Sequence, residues 1–205
     1  LKGTMQPNIE FLLTEGVPSS SISKLIMVQP RTILQKVDRL VHAVETVKKL
    51  GLIPSTPMFV HAVRVILSMS DSTWKRKVEL LKSLGWSDEE ITSAFKRGPL
   101  CLACSEDKIK SVMDFYVNTM QLEPAFIAAY PKFPMYSKDA RIWPRYNVIK
   151  VLEAKKLLKE DKKLVWILTI TKKDFLNTYV NKHLDQVPSL MELYHGTITA
   201  NKIDV

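Results

Sequence analysis

Glycine is scarce in this chain, with six residues in 205, too few for a loop-rich or all-β fold. Two cysteines exclude a secreted disulfide scaffold. No apolar run approaches the roughly 20 residues that cross a bilayer. The longest, Leu164 to Ile170, is interrupted by Thr169. Catalytic signatures are missing too: there is no glycine-rich phosphate loop, Ser-His-Asp arrangement or H-E-x-x-H. Carboxylates are scattered, so no catalytic constellation, cofactor or metal is expected. Acidic residues are outnumbered 21 to 30, leaving a net charge of +9 and an isoelectric point near 9.5. Such an excess favours a polyanionic partner, either nucleic acid or an anionic membrane surface. The sequence opens without an initiator Met or an apolar leader, and a targeting peptide is expected to lie outside it.

What the chain does have is a period. Gly16, Gly51 and Gly85 are spaced 35 and 34 residues apart, and Pro30 and Pro99 each fall 14 residues past a glycine. Val37, Leu40, Val41, Val44, Val47 and Leu50 form an i, i+3, i+4, i+7 stripe ending at Gly51. A glycine there can adopt the left-handed conformation that closes a helix. Ser87 to Glu90 reads as a capping box for the short helix that Gly98-Pro99 ends. One repeat is therefore a longer helix, a glycine turn, a shorter helix and a proline break. The proline slot of the second repeat holds Val65, predicting an uninterrupted helix, and the fourth glycine slot holds Met120. Past Pro144 the period weakens, with a helix from Val148 expected to continue through Leu157-Leu158. Thr171 to Asp174 should cap a helix from Phe175 to Tyr179, and Val187-Pro188 begins a short terminal element. Units that cannot bury an apolar face alone stack, so the expected fold is an all-α solenoid. We expect a single domain over residues 1–195 and a frayed tail over 196–205.

The second to fourth repeats read Pro57-Met-Phe-Val-His-Ala62, Trp74-Lys-Arg-Lys77, Leu84-Gly-Trp-Ser87 and Pro99-Leu-Cys-Leu102. The C-terminal part reads Pro144-Arg-Tyr-Asn-Val-Ile149, then Phe175, then Val187-Pro-Ser-Leu-Met-Glu-Leu193. In order and spacing across residues 5–195, these elements resemble the mitochondrial transcription termination factor (mTERF) family, in particular its plant branch. The resemblance implies a superhelical solenoid whose repeats hold two α-helices and a short 3-10 turn. It also implies nucleic-acid binding in mitochondria, with chloroplasts as the alternative, acting on transcription or RNA processing. No individual base contact carries over, because the family has no universal base-reading motif.

Basic residues are the best candidates for contact with double-stranded DNA or structured RNA, by a protein acting as a monomer. From Lys132 to Lys182, thirteen basic side chains face five acidic ones. The candidates are Arg64, Lys75, Arg76, Lys77, Arg97, Lys108, Lys110, Lys138, Arg141, Arg145, Lys150 and Lys155. Successive repeats would align such charges along a phosphate backbone; the alternative is that each is a solvated outer-face charge. Arginines can grip phosphate through two donors, so replacing Arg141 and Arg145 should weaken binding and leave the fold intact. A membrane-surface helix is disfavoured because the lysine run 155–163 lacks a strong apolar face. Trp74, Trp86, Trp143 and Trp166 are expected chiefly in the core, with Trp143 the best placed to stack on a base. Cys101-Leu-Ala-Cys104 lacks two further zinc ligands and is expected to be packing. The rival function is a protein-interaction scaffold in an organellar ribonucleoprotein or ribosome-assembly complex, its groove holding a partner's segment.

Overall fold

The computed structural model describes residues 2–158 and 164–199, and every regular element among them is helical. The chain gathers into two compact units, Leu1–Met135 and Tyr136–Val205. The first contains four repeats. Helices α1 (Lys2–Thr14) and α2 (Ser19–Val28) lead to a 3-10 turn at Pro30–Thr32. Helices α3 (Val37–Lys49) and α4 (Pro57–Leu67) follow, the latter uninterrupted as Val65 requires. Next come α5 (Asp71–Ser83), α6 (Asp88–Arg97) and a 3-10 turn at Pro99–Ala103. The fourth repeat is α7 (Glu106–Asp114), widened into a π-turn at Phe115–Thr119, then α8 (Pro124–Ala128) and a 3-10 turn at Phe133–Met135.

The second unit starts with a π-turn at Lys138–Ile142 that runs into α9 (Trp143–Ala154), followed by α10 (Leu164–Thr169). Helix α11 (Lys172–Phe175) widens at Leu176–Val180, and α12 (Leu190–His195) ends the described part. Its core joins Val148, Leu152, Ile167, Phe175, Val180 and Leu190. In the first unit the inward stripes meet around Leu40, Val44, Phe59, Val63, Phe95, Ile109, Tyr116 and Phe133, all buried.

Helix ends follow local chemistry. The Ser87 hydroxyl accepts from the Glu90 amide at 3.1 Å, and the Glu90 carboxylate accepts from the Ser87 amide at 2.8 Å. Together they satisfy two of the amides that a helix start leaves unpaired. Ser105 and Thr171 cap α7 and α11 through the hydroxyl alone, accepting from the Lys108 amide at 3.3 Å and the Asp174 amide at 3.1 Å.

The closing turn of the longer helix is more regular than the glycines suggest. Gly16, Gly51 and Gly85 have φ of 86°, 81° and 92°, and the next two repeats keep the conformation at Gln121 (57°) and Lys156 (56°). Met120 is not the cap. The π-turn at Phe115–Thr119 adds one residue to the helix and moves the left-handed position to Gln121. Likewise the fifth long helix stops at Ala154 rather than continuing through Leu157-Leu158, because Lys156 reverses the chain. The period therefore persists past Pro144; only its glycine is lost. Gly196, at φ 75°, closes α12, and Thr197 then donates to the Glu192 carbonyl. Of the tail expected to fray, residues 200–205 lie outside the described residues.

Left-handed backbone costs a side-chain-bearing residue on the order of 1 kcal/mol. Lys156 is exposed, so Lys156→Gly is expected to raise stability by about 0.5 kcal/mol. At Gly85 an added Cβ would also stand 3.0 Å from the Pro124 ring, so Gly85→Ala should cost about 1–2 kcal/mol. Thermal unfolding of the two variants checks this pair of opposite signs.

Candidate nucleic-acid interface

Many of the basic side chains are engaged before any ligand arrives. In each of the first five repeats a donor on the longer helix bonds to a backbone carbonyl at the end of the same repeat. Asn8 gives Nδ2 to the carbonyls of Ile33 and Gln35, both at 2.8 Å. Arg39 reaches Leu67 O at 3.2 Å, Lys77 reaches Cys104 O, and Lys108 reaches Met135 O at 2.6 Å. Arg141 donates to Leu168, Thr169 and Ile170 at 2.8–2.9 Å. These donors sit at the third or fourth position of their helices, or one turn later, on one helical face. Their targets are the carbonyls a helix or 3-10 turn leaves unpaired at its C-terminal end, where the backbone dipole is negative.

Arg145 strengthens the fifth clasp. It is 1% exposed, donates Nη1 to Ile167 O at 2.7 Å and Leu168 O at 3.2 Å, and lies over the Phe175 ring. Burial, and then the nearby Arg141 charge, pull its pKa down to about 10, so it stays protonated at neutral pH. Arg97 makes a similar cap between neighbouring shorter helices, reaching Ala129 O at 2.7 Å and Ala128 O at 3.1 Å.

The twelve candidates thus divide. Lys77, Arg97, Lys108, Arg141 and Arg145 hold backbone carbonyls. Arg76 pairs with Glu106 at 3.3 Å and Lys150 with Glu153 at 3.8 Å, both exposed pairs of small energetic weight. Lys155 caps the end of α9. The side chains of Arg64, Lys75, Lys110 and Lys138 make no hydrogen bond or ion pair among the described residues. Lys159, Lys162 and Lys163 of the basic run lie outside the described residues.

Of the four unclasped candidates, Arg64 lies on the shorter helix α4, Lys75 and Lys110 lie on the longer helices α5 and α7, and Lys138 lies in the second unit. In the first unit the shorter helices stack side by side as α2, α4, α6 and α8. Between α2 and α4 is a cleft of about 330 Å³, lined by Lys24, His61 and Arg64 with the hydroxyls of Ser20, Ser21 and Ser55. Lys24 and His61 escaped the sequence reading, since a lone lysine and a lone histidine carry no local signal. Lys96 on α6 lies against the turn at Gly51, its Nζ 2.6 Å from where a Cβ on that glycine would stand.

Two tryptophans are core: Trp86 is buried, and half-buried Trp74 meets Phe95 edge to face at 5.0 Å. Trp143 and Trp166 are 46% and 57% exposed, contrary to the core expectation. Trp143 faces a separate cleft of about 230 Å³ with Asp139, Lys172 and His195. Cys101 is buried and unpaired, its thiol pushed up to about 12 chiefly by burial. Among the described residues no three His, Cys, Asp or Glu side chains are grouped to hold a metal, and no helix is long and apolar enough to cross a membrane.

Two-helix repeats, each closed by a left-handed cap and a carbonyl clasp, define a helical-repeat solenoid. The mTERF family model matches residues 1–176, and the chain belongs to that family. A curated relative, the chloroplastic transcription termination factor MTERF8 of Arabidopsis thaliana, is 25% identical over 143 residues. The match covers 70% of this chain and 29% of the relative, so the chain spans well under half of that protein.

The clasps correct the expectation that Arg141 and Arg145 can be replaced at no cost to the fold. Arg145→Met would strand the Ile167 carbonyl in a buried setting, a loss of about 3 kcal/mol. Chemical denaturation should report that loss, whereas Lys110→Met, at an exposed site, should stay within about 0.5 kcal/mol of the parent.

Proposed function

We propose that this protein is an organellar nucleic-acid-binding regulator of gene expression that holds duplex DNA or structured RNA by its phosphate backbone. The observation that carries the reading is the cleft between α2 and α4, where Lys24 and Arg64 converge without a carboxylate in its lining. A net charge of +9 supplies the long-range attraction, and membership of the mTERF family supports the partner class. The chloroplastic relative supports an organelle as the place of action and makes the chloroplast the first compartment to examine ahead of the mitochondrion. Lys96, Lys75 and Lys110 are further exposed cations on the same unit and extend the reach of the contact. The clasped cations take part indirectly, by fixing the repeats that carry the free ones.

One observation favours the second reading, a groove for a protein segment: Met27 and Val28 on α2 are 75% and 67% exposed, and Val28 lines the same cleft. Salt separates the two, because it weakens an electrostatic grip and strengthens apolar burial.

Fluorescence anisotropy with duplex DNA, single-stranded DNA and RNA across a salt series tests the proposal. Affinity should fall linearly on a log–log plot, and replacing both Lys24 and Arg64 by Gln should reduce the slope by about 2 with unfolding unchanged. Binding that is insensitive to salt would sink the phosphate mechanism.

A further inference from the structure

The cleft between α2 and α4 contains one group that a purely electrostatic grip does not need. His61 is half-buried, and its Nδ1 is enclosed by protein with no hydrogen-bond partner. A buried ring nitrogen without a partner gives up the hydrogen bond that water would otherwise make. Lys24 approaches from α2, and Arg64 stands one turn further along α4. Helices α3 and α6 and the 3-10 turn at Pro99–Ala103 also pack on α4, yet the charges that bear on His61 are those of Arg64 and Lys24. Burial first, then these two cations, lower the His61 pKa from its ordinary value. Three hydroxyls, from Ser20, Ser21 and Ser55, share the lining with the apolar side chains of Pro18, Leu25, Val28, Pro57 and Val60. Two cations, an imidazole and hydroxyl donors in the lining of one cleft match the chemistry of a phosphate group, whose oxygens accept from ammonium, guanidinium, hydroxyl and imidazolium donors.

We propose that this cleft seats a single phosphate group, neutralised by Lys24 and Arg64 and hydrogen-bonded by protonated His61, so that filling the site takes up one proton. The inference rests on the nucleic-acid reading only for the source of the phosphate, which is a backbone phosphate of the bound strand. The sign follows from linkage. In the empty site His61 is neutral near pH 7, because protonation would add a third positive charge to a cleft without an anion. An entering phosphate reverses that field and favours the imidazolium. Binding therefore tightens as pH falls between the empty-site and filled-site pKa values, by at most about tenfold per pH unit. Outside that window the dependence on His61 vanishes.

The test is an NMR titration of the His61 imidazole in the full chain, alone, with inorganic phosphate, and with a short DNA duplex at constant ionic strength. The site predicts that the titration midpoint rises by one pH unit or more with either probe. It also predicts that His61→Gln removes the extra pH dependence of duplex affinity, at most about tenfold per pH unit within that window. Lys24→Gln should raise the midpoint of the empty protein and shrink the change on binding. A midpoint unmoved by both probes overturns the proposal. A duplex that binds with steep salt dependence while His61 stays unmoved overturns it as well, and leaves the nucleic-acid reading standing. If inorganic phosphate moves His61 but no duplex binds, the phosphate seat is upheld and the nucleic-acid reading fails.

Discussion

The hydrogen bond on which this fold depends runs from a side chain on each longer helix to the last carbonyls of the same repeat. A two-helix repeat is short, and its C-terminal carbonyls would otherwise be left unpaired just where the chain must turn into the next repeat. In the described chain the donor is Asn8, Arg39, Lys77, Lys108 or Arg141, and the acceptor lies 25 to 29 residues downstream. A long cationic side chain suits the task, since it spans the repeat and meets the negative end of the helix dipole. Hydrophobic stripes then supply most of the burial energy, and the left-handed cap sets the reversal between the two helices.

This constraint changes the meaning of the positive charge. A strongly basic composition invites the inference that each cation awaits a phosphate. In this fold the most deeply placed ones, Arg145 and Lys77, are already bonded to backbone, and Arg141 spends three bonds on α10. The residues best suited by chemistry to grip phosphate are therefore the least available. The cations left unclasped form a smaller set, in which Lys24 and Arg64 share a cleft with His61 between two shorter helices, while Lys75 and Lys110 stand on longer ones. The residue types that close the repeats are the same types a phosphate ligand would require.

Much of the scaffold was legible in the sequence because its punctuation is chemical. Gly51 and Gly85 are required by positive φ, and the Ser87–Glu90 box and the prolines mark helix boundaries through local bonds. The fourth and fifth caps were hidden because Gln121 and Lys156 adopt a conformation that side-chain-bearing residues seldom take, and because a π-turn moved the first of them by one residue. The clasps were hidden for another reason. Lys108 at the third position of a helix looks like any solvated lysine, and its acceptor is a backbone carbonyl, which leaves no trace in residue identity. A once-per-repeat donor at Arg39, Lys108 and Arg141 was the available signal. His61 became visible only when α2 brought Lys24 beside α4.

We propose that the cations of this solenoid divide into those that close repeats and those left free to meet a ligand. Hydrogen exchange measured with and without a bound duplex tests it most directly. Added protection should concentrate on α2, α4 and the turn between Gly51 and Pro57, while the amides around Arg141, Arg145 and α10 exchange slowly in both states. Protection that appears on binding at α9 and α10, with α2 and α4 unchanged, would contradict it.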